Sequence, residues 1–108
     1  MNKIKTKEAL IAVGIYPNLK GFKYIAEATK IVRENSDALI QITKTIYPEI
    51  ARRYNDKWTR VERAIRHAIF TAEQKNFVDN FPWKHSSFCH YTNGEFIGLM
   101  AEYTEVDE

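Results

Sequence analysis

Apolar residues recur along much of the chain at spacings of three and four, the period of a helix that buries one face. The clearest stripe lies between Thr59 and Lys75 and consists of Val61, Ala64, Ile65, Ala68, Ile69 and Ala72. A second helix is predicted from about Lys20 to Arg33, with the stripe Phe22, Ile25, Ala28, Thr29 and Val32. No segment alternates apolar and polar residues as a strand would. The pattern predicts an all-α domain.

Capping signals mark the first and last helices. The first is predicted from about Thr6 to Val13, with Thr6 as its N-cap and Gly14 just beyond its end. The last is predicted from about Asn93 to Tyr103, where Thr92 and Glu95 form a capping-box pattern.

The middle of the chain is less regular. Residues 34–37 interrupt the helical pattern, and apolar spacing resumes from Leu39 to Ile46. Because Pro48 suits the first position of a helix, we predict a separate short helix from Pro48 to Tyr54. The segment 76–91 is predicted to be irregular structure packed on the helices. The expected architecture is one domain over residues 1–108, a compact bundle of about six helices.

Composition limits the classes of protein that this chain can represent. Its 108 residues, 44% of them hydrophobic, suffice for one modest core. No apolar run approaches the roughly 20 residues of a membrane span. The single cysteine excludes an internal disulfide framework and suits a reducing compartment, and no signal peptide is recognisable. We therefore expect a cytoplasmic protein with no membrane contact.

Basic residues are concentrated in one segment although the net charge is only +2. Between Ala51 and His67 there are two acidic residues and six basic ones, namely Arg52, Arg53, Lys57, Arg60, Arg63 and Arg66. A local basic patch is typical of a protein that binds a phosphate backbone. A charged run taken alone is more often a solvated helix face, so further evidence is needed.

The segment from Tyr47 to Ala72 supplies that evidence, because it has the pattern of a helix-turn-helix. Two helices that cross at a tight turn need a small residue where they touch, and Ala51 provides it. Asn55 suits the strained turn position, and Val61 follows Ala51 at the spacing of ten residues usual for this motif. We assign a helix-turn-helix to about residues 47–75, with the outer face of its second helix free for the major groove.

That outer face carries the candidate DNA contacts. An arginine such as Arg63 can bond guanine O6 and N7, and a carboxylate such as Glu62 can accept from cytosine N4. Glu62 is equally well explained as a helix cap, because Thr59 and Glu62 also match a capping box. The full candidate set is Arg52, Arg53, Lys57, Thr59, Arg60, Glu62, Arg63, Arg66 and His67.

Three other side chains in this region have competing interpretations. His67 is a phosphate donor, a partly buried packing residue or a surface bystander. Trp58 and Phe70 are interpreted as core or rim packing groups rather than as groups that stack on bases, although Phe70 belongs to the outer face.

An enzyme is the least supported class. Cys89-His90 with His85 is the one candidate metal cluster, but adjacent residues cannot comfortably ligate one zinc ion, and no second pair has ligand spacing. No glycine-rich phosphate loop or paired-carboxylate site is present. We expect no catalytic activity, no metal and no cofactor.

The segment Thr59–Ile69, TRVERAIRHAI, strongly resembles the recognition helix of a known family. The family is the C-terminal effector domain of the stage zero sporulation response regulator of endospore-forming bacteria. The likeness continues through LKGF at 19–22, ITK at 42–44, YPEIA at 47–51 and TNGEFI at 92–97, so it covers most of the chain.

The resemblance implies an all-helical domain of about six helices that reads a short box in the major groove, often as tandem copies. By position, Glu62 and Arg63 would meet base edges. The same comparison places four side chains on or beside the backbone, namely Thr59, Arg60, Arg66 and His67. It also implies a bacterial DNA-binding protein that is associated with the nucleoid when bound.

Departures from the family lead to two functional hypotheses. The family protein carries a phosphoacceptor receiver domain, which we expect this chain to lack. Its segment 73–91 differs in the region where the family is thought to contact the polymerase sigma subunit, and residues 104–108 are acidic. The first hypothesis is an autonomous sequence-specific transcriptional regulator, with occupancy aided by tandem sites or self-association. The second is an interaction protein that antagonises the full-length sporulation regulator by occupying its boxes or by pairing with it.

Overall fold

The computed structural model describes residues 3–75, 80–83 and 90–107. In these residues the α-helices are α1 (Thr6–Ala12), α2 (Lys20–Glu34), α3 (Ile42–Tyr54), α4 (Trp58–Lys75) and α5 (Asn93–Tyr103). A 3₁₀ helix, Ser36–Gln41, connects α2 to α3. The predicted all-α class is confirmed, with five α-helices in the described ranges rather than about six.

The prediction of a separate helix beginning at Pro48 is wrong, because α3 runs through the proline without a break. A proline inside a helix removes the bond to the carbonyl four residues earlier, here that of Lys44. Pro48 and Lys44 are both exposed, so water can solvate that carbonyl. The buried side chains Ile46, Tyr47, Ile50 and Ala51 lie on both sides of the proline and keep the helix continuous.

Helices α2 and α4 approach so closely that their backbones touch. A Cβ atom added to Gly21 would lie 2.4 Å from the carbonyl oxygen of Ala64 and 2.5 Å from the Cβ of Ala68. The fully buried Ile25 and Ile65 belong to the same core. Small residues at this crossing allow the apolar stripe of α4 to pack inward, and its opposite face therefore points outward.

The two ends of the described chain meet in a short parallel ladder that the sequence did not predict. Strand β1 (Ile4–Lys5) pairs with β2 (Thr104–Glu105). Lys5, not Thr6, is the N-cap of α1, so that part of the helix prediction is wrong. Thr6 is instead buried, with its hydroxyl 3.0 Å from that of Thr104, and Arg33 donates to both hydroxyls at 2.6 Å.

The last helix begins as predicted. Thr92 accepts a hydrogen bond from the Glu95 N–H at 3.1 Å, and the Glu95 carboxylate accepts from the Thr92 N–H at 2.9 Å. Of the predicted irregular segment, residues 80–83 and 90–91 are described and pack an aromatic cluster made of Phe81, Trp83, Tyr91 and Phe96. In the described ranges, no helix has the length and apolar character to cross a membrane.

Candidate DNA-binding interface

The turn between α3 and α4 has the geometry expected of a helix-turn-helix. Asn55 adopts a left-handed conformation, with φ 52° and ψ 52°, immediately after α3 ends. Asparagine tolerates this region better than most residues because its side chain is short and polar. Ala51 and Val61, the predicted contact residues, are both buried. The predicted motif is therefore confirmed at its turn and at its packing positions.

A partly buried carboxylate braces the turn, and sequence reasoning missed it. Asp56 accepts a hydrogen bond from the Tyr24 hydroxyl at 2.6 Å and another from the Lys57 N–H at 2.8 Å. Its own N–H donates to the carbonyl of Ala51 at 2.9 Å. Tyr24 lies 32 positions earlier in the chain, so no local pattern indicates this contact. The brace ties the start of α4 to α2.

The ionisation of this pair follows from its surroundings. The hydrogen bond from Tyr24, with a smaller contribution from that of the Lys57 N–H, lowers the pKa of the Asp56 carboxyl. Burial, followed by the hydrogen bond to Asp56, raises the pKa of Tyr24 to about 12. At neutral pH the pair therefore consists of a carboxylate and a protonated phenol.

Helix α4 begins one residue earlier than predicted, which removes one explanation of Glu62. The N–H groups of Arg60 and Val61 both donate to the carbonyl of Lys57 at 3.0 Å, as expected when Lys57 is the N-cap. Thr59 therefore lies inside α4, and the predicted capping box of Thr59 and Glu62 is wrong. The carboxylate of Glu62 instead pairs with Arg66, one turn further along.

Helix α4 is also held by the first residue of α5. The amide of Asn93 donates to the hydroxyl of Tyr47 at 2.9 Å and to the carbonyl of Glu62 at 3.2 Å. These two hydrogen bonds join α5 to α3 and to α4, the proposed recognition helix. Helix α4 is thus held at its start by Asp56 and at Glu62 by Asn93.

Several of the predicted phosphate contacts are occupied by carboxylates of the chain. Arg53 pairs with Glu27 and donates from Nε to Glu49 at 2.8 Å. Arg52 also reaches Glu49, at 2.5 Å. The guanidinium of Arg60 lies 3.9 Å from Asp56. The structure therefore groups Arg52 and Arg53 on Glu49 of α3, and Arg53 also links α3 to α2 through Glu27.

Lys57, Arg63 and His67 have a different status. All three are exposed, and in the described part of the chain their side chains have neither an ion pair nor a hydrogen bond. The exposure of His67 rules out its interpretation as a partly buried packing residue. Arg63 and His67 share one shallow depression on the outer face of α4 with Arg66 and Phe70.

Trp58 and Phe70 are not core residues. Trp58 is 45% exposed and Phe70 is 53% exposed, so of the two predicted alternatives the core position is wrong and the rim position remains. Trp58 lines a cleft between α3 and α4 together with Arg52 and Lys57. Phe70 lies on the outer face, as the helical spacing predicts.

The candidate metal cluster falls largely outside the described residues, since these exclude His85 and Cys89. His90 is described, and its Nδ1 lies 3.4 Å from the carboxylate of Glu73. Over residues 3–75, 80–83 and 90–107, no three histidine, cysteine or acidic side chains lie close enough together to hold a metal ion.

The surface built by α3, the Asn55 turn and α4 has the form of a DNA-reading motif, and comparison with known families agrees. The sequence model of the family described as "Sporulation initiation factor Spo0A C terminal" matches residues 6–104, nearly the whole chain. The resemblance found at the recognition helix thus extends over the complete helical core. The chain belongs to the Spo0A C-terminal family, and it is a DNA-binding effector domain of a sporulation regulator.

Proposed function

We propose that the chain recognises a short box on double-stranded DNA with the outer face of α4 in the major groove, and that it regulates transcription from such sites. The observation that carries this proposal is the state of Arg63, which is exposed and without an ion pair or hydrogen bond in the described part of the chain. A guanidinium that is not engaged by the fold can bond O6 and N7 of a guanine without first breaking another contact.

The other candidates are assigned by what they already contact. Arg66 must share its guanidinium with Glu62, so a base contact by Glu62 requires that pair to rearrange. Lys57 and His67 are both exposed. The ammonium group of Lys57 and a ring N–H of His67 can donate to phosphate, so both residues suit backbone contacts. Arg53, held by two carboxylates, is assigned a structural role.

Selection of bound sequences from a random duplex library tests this proposal. We expect enrichment of a short motif that contains guanine, and a recurrent spacing between copies if tandem sites or self-association aid occupancy. Affinity for a scrambled duplex serves as the control. Recovery of no motif, with equal affinity for selected and scrambled duplexes, would contradict sequence-specific recognition.

The second hypothesis, antagonism of a full-length sporulation regulator, uses the same recognition surface. Two carboxylates of the acidic residues 104–108, one motivation for this hypothesis, are engaged within the fold, because Glu105 pairs with Lys5 at 3.4 Å and Asp107 accepts from the Lys7 N–H at 2.9 Å. Co-purification with a full-length regulator, with and without DNA, distinguishes the two functions: a complex that forms without DNA favours antagonism by pairing.

A further inference from the structure

Trp58 is a large apolar side chain that the fold leaves partly exposed. It is the first residue of α4 and is 45% exposed. Trp83, by contrast, is 4% exposed, stacks in the aromatic cluster and donates to Tyr91 at 2.9 Å. In the ranges that the structure describes, the Trp58 indole has neither a ring contact nor a hydrogen bond.

The position of Trp58 indicates what it would meet. The N-terminal residues of a recognition helix are those nearest to the base edges. Trp58 lines a cleft together with Lys57, an exposed cation that suits a contact to phosphate. The apolar group that the major groove exposes is the C5 methyl of thymine, and apolar side chains contact it.

Phe70 provides an internal comparison. It is 53% exposed and lies on the same helix, 12 positions after Trp58, which corresponds to about 18 Å along the axis. Both side chains are exposed aromatics, but only Trp58 lies in the first turn of α4, the end that is nearest to the base edges in motifs of this kind. An effect of exposed aromatic surface in general would involve both residues.

We propose that Trp58 is a specificity-determining residue that contacts the C5 methyl group of a thymine within the DNA box. This inference rests on the proposed function, because it requires the N-terminus of α4 to enter the major groove. Removal of one methyl-sized group from water corresponds to about a fourfold change in affinity. The contact distinguishes thymine from cytosine, which lacks the methyl group.

The experiment uses the duplex recovered by selection and replaces each thymine in turn with deoxyuridine, which removes only the methyl group. The full chain should lose about fourfold in affinity at the thymine that Trp58 contacts. Trp58→Ala should bind the unsubstituted duplex about fourfold more weakly and lose nothing further at that thymine. Phe70→Ala should still lose about fourfold at that same thymine, whatever its affinity for the unsubstituted duplex, and equal melting temperatures should show that both variants fold.

Two results would overturn the inference. The first is that Trp58→Ala still loses affinity at the same deoxyuridine substitution as the wild type. The second is that Trp58→Ala weakens binding to selected and scrambled duplexes equally, which would indicate a backbone contact. Failure of the proposed function itself looks different: selection yields no motif, or Arg63→Ala binds selected and scrambled duplexes with the same loss. The two failures are therefore distinguishable in one set of titrations.

Discussion

The brace between Tyr24 and Asp56 should make a large contribution to stability for a single hydroxyl group. Tyr24→Phe removes the donor at 2.6 Å and leaves the ring in place. A hydrogen bond to a charged acceptor contributes about 2 kcal/mol, and the Asp56 side chain, 7% exposed, has little access to replacement water. With an unfolding entropy of about 2.1 cal/mol/K per residue, such a loss lowers the Tm by about 9 °C.

The pH dependence of the free energy of unfolding tests whether the acceptor, Asp56, is charged. Because the pKa of Asp56 is lowered in the folded state, its contribution to stability is present above the unfolded value of about 3.9. That contribution is lost as the pH falls through the lower, folded pKa. The difference between wild type and Tyr24→Phe should therefore shrink in acid, where the bond becomes one between neutral groups.

Urea unfolding at pH 7 and at the lowest pH where the native state persists would measure this difference. Tyr54→Phe is a matched control, since the centroid of its ring lies 5.4 Å from that of Tyr24 and its hydroxyl makes no hydrogen bond in the described residues. The reasoning would be refuted if Tyr24→Phe lowered the free energy of unfolding by less than about 0.5 kcal/mol, or by the same amount at both pH values.

Three further predictions concern recognition, packing and alkaline stability. Arg63→Ala should cost about 1–3 kcal/mol on the selected duplex, measured by titration, and leave the Tm unchanged; an equal loss on scrambled duplex would mean that Arg63 contacts only phosphate. Gly21→Ala should destabilise the fold by about 1–3 kcal/mol in urea, because its Cβ would overlap Ala64 and Ala68; an unchanged midpoint would contradict the close crossing. Since the pKa of Tyr24 is about 12 in the folded state, stability should fall from about pH 10 to pH 12, and less so in Tyr24→Phe.

Most of the fold could be predicted because helical periodicity and capping are local properties. The stripe of α4 and the capping box of α5 depend on residues a few positions apart, and both were predicted correctly. Pro48 misled because its local preference for a helix start was outweighed by the burial of Tyr47 and Ile50 on α3. The pairing of β1 with β2 involves only two residues on each side, too few to produce a period.

The site was predicted less completely, because its geometry depends on distant partners. The cluster of arginines was visible in the sequence, but its division into paired and unpaired groups was not. Arg53 meets Glu27 at a separation of 26 positions, and Asp56 meets Tyr24 at 32. The exposure of Trp58 could not be predicted, because the helical periodicity around it does not indicate whether this aromatic side chain is buried.

A physical criterion for recognition residues emerges from these pairings. The fold places Ala51, Asn55 and Asp56 where they fix the turn, and it occupies Arg53 with carboxylates. A side chain already paired must lose that contact before it binds DNA, whereas an unpaired exposed side chain loses only water and rotamer freedom. By this criterion Arg63 is the strongest candidate for base recognition on α4. If Arg53→Ala were to reduce DNA specificity more than Arg63→Ala while both variants remained folded, pairing within the fold would not be a useful guide to the site.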